Sequence, residues 1–597
     1  MRKFFKYVFA SMVGFVIAGG ILLILFFGLL FSLISDVEGQ FKKADKEVVV
    51  KDNSVYHLKF NNNIEERAGN NPFEGIDFGP FSEESKMSLR NLVQSIEYAA
   101  TDDNVKGIFV ELGGFPGGLA TLEEIRNALL EFKKSGKWIV TYAEGMTQGA
   151  YYLSTVSDEI YLYPTGDIFF KGLATNIMYM KGLLDKLDIE MQAIKGPGNI
   201  YKSAVEPLTT TEMSEPNREQ IQKYLSSIWG HWLNGISKER GISVDDLNRY
   251  ADELSVGNAN KALELGLVDG LKYRDEVMAD LVGRMDVEEE DDIHFIKYSK
   301  YKKKKVKKSE GYDSKKVAVI FANGEIRSGK NRDGVMGSKS IAAAIKKARL
   351  DSNVKAIVLR VNSPGGSALA SDVMWRETVL AKAEKPFVVS MGDLAASGGY
   401  FISCNADKIY ASETTITGSI GVFGLMPVTG KFFKNKLGIV FHDERTNKHS
   451  TFPSGIEPLD EQEYAVVNAS IIDIYEDFVG KVAKGRGMTV DQVKEVARGR
   501  VWTGTDAKEI GLVDEIGTLD DAIAFAAEQG GLKEYRVKEL PELKDPFEEI
   551  MENLQDQMSV NFVKQSLGTN YKYLEWINDI EGMKGVQARI PYLIDIY

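Results

Sequence analysis

One serine in this sequence has neighbours that would suit a nucleophile. Ser397 follows the predicted strand 386–392 and stands between Ala396 and Gly398, so a substrate backbone could approach its hydroxyl without meeting a large side chain. The surrounding A-x-S-x-G pattern is a relaxed form of the strand–turn–helix nucleophile elbow. A serine that only caps the following helix would give the same pattern. This motif alone leaves both interpretations open.

A serine nucleophile needs a general base, and the histidines of this sequence provide few candidates for that role. Among the 5 histidines, His442 with Asp443 forms the one pair that suggests a catalytic couple. A lysine can take this role when burial lowers its pKa towards neutrality. Lys202 is the candidate because it stands in the apolar frame IYKSAV, although many such lysines point outward. A literal S-x-x-K at 299–302 lies in a lysine-rich stretch without ordered burial, and we discard it.

A glycine-rich turn precedes this serine in the chain. In NSPGG (362–366), Gly365 and Gly366 follow a β-branched run, KAIVLRV, that is typical of a strand buried on both faces. Exposed backbone amides at such a turn can bind an anion. A turn that only reverses the chain direction would have the same sequence pattern. Strands alternating with helices predict an α/β fold with mainly parallel sheets, in which sites form at the carboxyl ends of the strands.

The body of the chain is one unit repeated in tandem. Residues 102–118 resemble residues 351–366, and residues 137–161 resemble residues 385–410. The shift between matching segments, including AVEP with GIEP and the two GLVD segments, stays between 245 and 251 residues. So long and constant a period predicts two copies of a domain, each with its own core.

The candidate residues are divided between the two copies. Ser397 aligns with Gly149, so only the second copy can supply a nucleophile at that turn. Lys202 aligns with Pro453, so only the first copy can supply the base. This division predicts one active site shared by the two domains.

The amino-terminal region predicts a membrane anchor. Residues 7–35 contain no ionisable acid or base, and about 20 apolar residues suffice for a helix to cross a bilayer. Basic residues precede this segment and acidic residues follow it, which predicts a cytoplasmic amino end and an extracytoplasmic body. A cleaved signal peptide would have a shorter apolar core.

Domain boundaries follow from these observations, and composition excludes several classes. With 44% hydrophobic and 27% charged residues the chain is globular, and its net charge of −13 argues against a nucleic-acid binder. Its single cysteine, Cys404, excludes an internal disulfide and a cysteine-based zinc cluster, and it is interpreted as a small core residue. The predicted units are an anchor (1–45), a first copy (46–290), a charged linker (291–314), a second copy (315–535) and a helical tail (536–597).

The segments YKSAVEP, NSPGG, ASGGYFIS and TGSIGVFG resemble the signal peptide peptidase A (protease IV) family in its long, membrane-anchored form, over residues 46–530. That family belongs to the crotonase and Clp-protease-like fold group. The resemblance implies that Ser397 is the nucleophile, Lys202 the general base and Ser419 the residue that orients the lysine. It implies an oxyanion hole among Gly365, Gly366 and Gly398.

The resemblance also implies the biological setting. The substrates of this protein would be cleaved signal peptides and other hydrophobic peptides near the inner (cytoplasmic) membrane. The enzyme would be a homotetramer that needs no cofactor or metal. Two alternatives remain: a crotonase-like enzyme acting on acyl-CoA thioesters, and a non-catalytic membrane scaffold. The extracytoplasmic location argues against the first, and the division of serine and lysine between the copies argues against the second.

Overall fold

The computed structural model describes Gly14 and residues 50–67, 86–196, 198–302, 315–332, 334–543 and 585–589. The predicted membrane segment, residues 7–35, lies outside these ranges except for Gly14. Within the described ranges, no helix has both the length and the apolar character needed to cross a membrane.

Strands and helices alternate along most of the described chain. The strands are β1 (Ser54–Lys59), β2 (Ile64–Glu65), β3 (Met87–Ser88), β4 (Val105–Glu111), β5 (Trp138–Ala143), β6 (Glu159–Leu162), β7 (Glu190–Ile194), β8 (Gly270–Leu271), β9 (His294–Lys297), β10 (Lys316–Asn323), β11 (Glu325–Arg327), β12 (Val335–Gly337), β13 (Val354–Ser363), β14 (Gly365–Ser367), β15 (Phe387–Ala396), β16 (Lys408–Ala411), β17 (Ile416–Gly418), β18 (Phe423–Val428), β19 (Val501–Thr503), β20 (Glu515–Ile516), β21 (Arg536–Leu540) and β22 (Gly585–Arg589).

The helices are α1 (Leu89–Thr101), α2 (Leu119–Lys133), α3 (Gln148–Ser154), α4 (Lys181–Lys186), α5 (Glu206–Thr209), α6 (Glu215–Arg240), α7 (Val244–Asp252), α8 (Ala259–Glu264), α9 (Arg274–Met285), α10 (Tyr298–Tyr301), α11 (Ser338–Leu350), α12 (Ala368–Glu384), α13 (Gly398–Ser403), α14 (Gly430–Leu437), α15 (Glu461–Arg486), α16 (Val490–Val496), α17 (Gly504–Glu509) and α18 (Leu519–Gln529). Short 3₁₀ helices cover Ser203–Val205 and Glu290–Asp292.

The two large sheets repeat one topology. The first has the order β8-β6-β5-β4-β1-β9, and all its pairings are parallel. In the second, the series β20-β16-β15-β13-β10-β21 has the same order and is also parallel, with β17 and β19 added beside β15. The predicted α/β fold with mainly parallel sheets, duplicated in tandem, is therefore confirmed.

The matching long helices of the two copies have matching ends. Helices α6 and α15 each contain 26 residues, and each begins at a capping side chain, Ser214 or Asp460. Each ends at a glycine with positive φ, +70° at Gly241 and +66° at Gly487. Glycine adopts this left-handed conformation without the steric cost that a Cβ adds, which fixes where the helix stops.

A third sheet, of six short strands, joins the copies. Its order is β12-β11-β14-β22-β18-β7, so β7 of the first copy extends a sheet otherwise made by the second copy and the carboxyl-terminal region. Strand β22 lies between β14 and β18 and is antiparallel to both. The turn after β13 leads directly into β14, an inner strand of this sheet, and Ser363 at the end of β13 pairs with Ala395 near the end of β15.

Two segments differ from the elements predicted for them. The predicted charged linker contains β9, which pairs with β1, and the predicted helical tail contains strands β21 and β22 among its described residues. Strands β9 and β21 cover the corresponding outer edges of the two large sheets, where backbone groups would otherwise lack partners. Residues 303–314, 544–584 and 590–597 lie outside the described part, and the remaining domain boundaries stay predictions.

Candidate active site

Ser397 lies at the sharp turn between β15 and α13. Its backbone has φ +55°, an uncommon value for a residue with a Cβ, and its amide donates to the carbonyl oxygen of Gly418 at 2.8 Å. Its side chain makes no capping hydrogen bond to α13, although the residue occupies the cap position. Ser397 is completely buried. The hydroxyl is therefore directed to contacts other than those of a helix cap.

Lys202 brings a buried amine to that hydroxyl. Its Nζ lies 2.7 Å from Ser397 Oγ, 2.9 Å from Ser419 Oγ and 3.0 Å from the carbonyl oxygen of Ser419. The lysine is completely buried, and this loss of solvation lowers its pKa well below the ordinary value. The structure therefore brings together the serine and the lysine that the two copies contribute.

The neutral amine fits its three neighbours without a conflict of donors. Such an amine has two N–H groups and one lone pair. It can donate to the carbonyl and the hydroxyl oxygens of Ser419, which leaves the lone pair for the O–H of Ser397. This arrangement can remove the proton of the serine hydroxyl as that oxygen attacks an electrophile.

Ser419 is held by the segment before β19. Its φ is +50°, and its amide donates to the carbonyl oxygen of Arg500 at 2.6 Å. Its Oγ lies 3.4 Å from the carbonyl oxygen of Gly499. The loop between β17 and β18 thus has a fixed backbone, from which both oxygens of Ser419 face the lysine.

The two glycine turns meet beside Ser397. Gly365 and Gly366 have φ values of +94° and +154°, which side-chain-bearing residues rarely adopt. A Cβ built on Gly365 would lie 2.8 Å from the amide nitrogen of Gly398. Gly365 and Gly398 therefore lie against each other next to the serine, whereas a Cβ on Gly366 would meet the backbone of Ile326.

Two further contacts position the lysine, and the sequence motifs did not point to either. A Cβ on Gly499 would lie 2.6 Å from Lys202 Cβ, so only glycine fits against the lysine backbone there. Asn199 Nδ2 donates to the carbonyl oxygen of Lys195 at 2.6 Å and so braces the loop that leads to Lys202. No chemical pattern distinguishes these residues in the sequence, because the Gly499 contact joins the two copies and the Asn199 hydrogen bond depends on how the loop before Lys202 folds.

The other candidates for nucleophile or base have different surroundings. His442 is exposed, and its neighbour Asp443 forms an ion pair with Arg445. His231 lies 3.1 Å from a carboxylate oxygen of Glu123. Cys404 is a buried free thiol whose pKa burial raises to about 12, in keeping with a core residue.

Two groups among the described residues have the spacing to hold a metal ion. They are Glu123, His231 and Glu413, and His449, Asp460 and Glu463. Neither group includes a residue that contacts Ser397 or Lys202, so the chemistry available at the serine is that of the hydroxyl, the amine and the neighbouring amides.

A buried amine against a serine hydroxyl, beside two glycine turns of an α/β fold, is typical of serine hydrolases. Peptidase family S49 matches this chain twice, at residues 131–288 and 380–533. Protease 4 of Salmonella typhi is 39% identical, over 77% of this chain and 75% of that protein. The chloroplastic serine protease SPPA of Arabidopsis thaliana is 34% identical, over 85% and 74%.

A shorter relative, the putative signal peptide peptidase SppA of Enterococcus faecium, is 35% identical over 36% of this chain and 63% of that protein. Among solved structures, a ClpP1 variant from Listeria monocytogenes matches 34% of this chain and 94% of the ClpP1 chain. The two are 18% identical with a TM-score of 0.24, and a likeness at this level supports no conclusion. The chain belongs to peptidase family S49, and it is a serine protease.

Proposed function

We propose that Ser397 is the nucleophile of this protease, that Lys202 is its general base and that Ser419 orients the amine. The observation that carries the proposal is the 2.7 Å separation of Lys202 Nζ from Ser397 Oγ, in a site where both side chains are completely buried. Burial keeps the amine neutral at a pH where an exposed lysine would be charged, and only the neutral form can accept a proton.

The reaction proceeds through an acyl-enzyme. Lys202 takes the proton of Ser397 as Oγ attacks the peptide carbonyl carbon, and the carbonyl oxygen gains negative charge. When the C–N bond breaks, the protonated amine returns that proton to the leaving nitrogen. Water, deprotonated by the same lysine, then hydrolyses the ester and restores the serine.

The amides at the glycine turns would stabilise the negative oxygen. Gly365 and Gly398 lie against each other beside Ser397, and because both lack a Cβ, a carbonyl oxygen can lie close to the two of them. Oxyanion donors of this kind typically contribute about 10²–10³-fold to the rate.

Site-directed variants test these roles. Ser397→Ala and Lys202→Met should each abolish hydrolysis of a fluorogenic peptide, and labelling by a fluorophosphonate should be lost in Ser397→Ala. Lys195→Met is the matched control, because burial also lowers the pKa of Lys195, whose Nζ lies 3.8 Å from Glu206 instead. Activity in Ser397→Ala or Lys202→Met equal to that of the Lys195 control would rule out the assigned pair.

We further propose that the substrates are cleaved signal peptides and other hydrophobic peptides. The name of the Enterococcus faecium relative and the apolar surroundings of the site support this substrate class. A crotonase-like acyl-CoA reaction has no support from the family match. Incubation of the protein with a synthetic signal peptide and with a charged peptide of equal length should give faster cleavage of the signal peptide.

We propose that residues 7–35 anchor the chain in the inner membrane, with the amino end in the cytoplasm and the catalytic body outside it. The uncharged length of this segment and its basic leading flank support the assignment. After alkaline carbonate extraction the full chain should stay with the membrane, and a variant lacking residues 1–45 should be released. Release of the full chain would contradict the anchor.

We propose a homotetramer as the assembled form. Support comes from an apolar surface near α14, where Leu437, Val440 and Phe441 are 54%, 61% and 47% exposed in the single chain. Sedimentation of the detergent-solubilised protein should give the mass of four chains. Val440→Glu with Phe441→Glu should reduce that mass, whereas an unchanged assembly would exclude this surface as the interface.

A further inference from the structure

Two carboxylates and an imidazole meet where the two copies pack together. Glu123 lies on α2 and His231 on α6, both in the first copy, whereas Glu413 lies in the loop between β16 and β17 of the second copy. Each side chain offers one oxygen or nitrogen atom that could bind a metal ion, and these three atoms lie within 4.8 Å of one another. We call these three residues the interface cluster.

The elements that carry the interface cluster are held together by other contacts. Ser227 Oγ on α6 lies 2.9 Å from Thr503 Oγ1 at the end of β19, which joins α6 to the second copy. The backbone amide of Thr505, two residues further on, donates to the carbonyl oxygen of Glu413 at 3.3 Å. The backbone therefore brings the three side chains together without help from the side chains themselves.

The carboxylate of Glu123 is only half satisfied, although the residue is 2% exposed. Its Oε2 accepts a hydrogen bond of 3.1 Å from the hydroxyl of Tyr152, whereas its Oε1 accepts none from the residues that the structure describes. Oε1 lies 3.1 Å from His231 Nε2, but the two atoms lack the geometry of a hydrogen bond. Burial of an acceptor without a donor costs free energy, so a cation bound between these two atoms would stabilise the fold.

The interface cluster also lacks a basic partner. Within the described ranges, neither Glu123 nor Glu413 forms an ion pair with a lysine or an arginine. Arg126 lies over the ring of Tyr152, but its guanidinium donates to the carbonyl oxygen of Tyr152 at 2.6 Å and to Thr155 Oγ1 at 2.9 Å. With a neutral imidazole the cluster carries two negative charges, which one divalent cation would neutralise.

The donor atoms of the interface cluster favour zinc over other divalent cations. Zinc takes imidazole nitrogen and carboxylate oxygen together, whereas calcium and magnesium prefer oxygen ligands alone. Two ligands of a tetrahedral zinc ion lie about 3.4 Å apart, given bonds of about 2.1 Å. The 3.1 Å between Glu123 Oε1 and His231 Nε2 is close to this value. Glu413 is half-buried, so its side chain has room to turn and complete the set, with water as the fourth ligand.

We propose that Glu123, His231 and Glu413 bind one Zn²⁺ ion, which links the two copies of the domain. The ion is structural, and no step of peptide hydrolysis involves it. Two of its ligands come from the first copy and the third from the second, so the site exists only when the copies are packed together. Bound zinc should therefore stabilise the folded chain and raise its unfolding temperature.

Calorimetric titration of Zn²⁺ into the detergent-solubilised full chain, after dialysis against a chelator, tests the site. Wild type should bind one equivalent per chain. Glu123→Gln and Glu413→Gln should each weaken binding by more than about 100-fold, and Tyr152→Phe, which removes the hydrogen bond that orients Glu123, by about 10- to 100-fold. Because Glu413 lies in a half-buried loop, its variant tests the site without changing the core around Glu123.

Two further measurements separate this site from binding elsewhere on the chain. Zinc should raise the unfolding temperature of wild type and leave that of Glu413→Gln unchanged, since the variant lacks the ligand from the second copy. Co²⁺ in place of zinc should give the visible absorption of a four-coordinate ion in wild type and not in Glu123→Gln. Equal zinc affinity in Glu123→Gln and wild type would overturn the proposal.

The second group with metal-ligand spacing supplies the matched control. In that group the carboxylates of Asp460 and Glu463 already accept backbone N–H groups at the start of α15. His449→Gln should therefore bind zinc as tightly as wild type, and loss of binding in this variant would overturn the assignment to the interface cluster. Absence of zinc binding in wild type would also overturn it, and would mean that a protonated His231 is the cation of the cluster.

Discussion

Gly499 of the second copy lies directly against Lys202 of the first. A Cβ on Gly499 would fall 2.6 Å from Lys202 Cβ and 2.8 Å from its Cα. The glycine is held in place because its backbone N–H donates a hydrogen bond of 2.8 Å to the carbonyl oxygen of Ile420. The lysine is thus fixed by its packing between copies as well as by its own hydrogen bonds. Changes at this contact should alter catalysis without altering any catalytic group.

Gly499→Ala should lower the kcat for peptide hydrolysis by about 10²-fold, because a displacement of about 1 Å at a reacting group can cost that much. Gly511→Ala is the matched control: its φ is +80° against +79° at Gly499, but nothing lies within 4 Å of its added Cβ. The control carries the same backbone strain without the collision. Equal kcat values in the two variants would show that the contact does not position Lys202.

The rate of peptide hydrolysis should rise with pH through the lowered pKa of Lys202. Burial lowers this pKa, and the active form of the amine is the neutral one, so activity is lost as pH falls through the folded-state value. The measurement is kcat/KM for a fluorogenic peptide as a function of pH. A limb that follows the titration of a histidine would identify a different base.

Lys202→Met should make the inactive protein more stable at neutral pH. The unfolded chain binds a proton at Lys202 more readily than the folded chain, because burial lowers the folded-state pKa. The free energy of unfolding therefore falls as pH drops from the pKa of Lys202 in the unfolded chain towards its lower pKa in the folded chain. Methionine cannot bind a proton, so the variant does not lose this stability. Urea unfolding at neutral and alkaline pH should show a gain that shrinks as pH rises; a loss at neutral pH would mean the amine is charged in the fold.

Ser419→Ala should reduce kcat about tenfold, the equivalent of one hydrogen bond, and change the pH at which activity rises. The carbonyl oxygen of the same residue still accepts from the lysine, so some activity remains. Thr417→Val is the control, because the Thr417 hydroxyl is also buried but donates to the carbonyl oxygen of Ala395. An identical pH profile in Ser419→Ala and wild type would exclude an orienting role.

Arg360→Leu should destabilise the protein by about 3–5 kcal/mol, the usual cost of leaving buried charge unpaired. The Arg360 guanidinium is completely buried and pairs with Glu66 at 2.9 Å and Glu124 at 2.5 Å, both from the first copy. Burial already raises the pKa of Glu124 to about 7, a shift that Arg360 partly opposes. The loss should therefore be smaller at mildly acidic pH, where the carboxyl of Glu124 is protonated.

Arg249→Leu serves as the control for this experiment. Arg249 also pairs with a carboxylate, 2.6 Å from Asp246, but both side chains are exposed. Urea unfolding of this variant should match wild type, because exposed ion pairs contribute little. An Arg360→Leu protein as stable as the control would show that the buried pairs do not hold the copies together.

Much of the fold could be read from local patterns. The run that becomes β13 is apolar at nearly every position, and Ile357, Leu359 and Val361 are indeed completely buried. The repeat predicted two related sheets, because similar segments at a constant shift must fold alike. Strands β9, β21 and β22 were not predicted, since their short and partly charged sequences resemble linkers and depend on a neighbouring strand edge for their structure.

The sequence by itself determined which residues have suitable chemistry: Ser397 among small neighbours, Lys202 in an apolar frame, and the separation of these two residues between the copies. Only the tertiary structure decided that Nζ and Oγ lie 2.7 Å apart, although 195 residues separate them along the chain. It also decided the contact of Gly499 with Lys202 and the position of Gly398 beside Gly365. The physical reason is that residue type and local spacing are properties of one segment, whereas burial, close approach and a lowered pKa arise only when distant segments pack together.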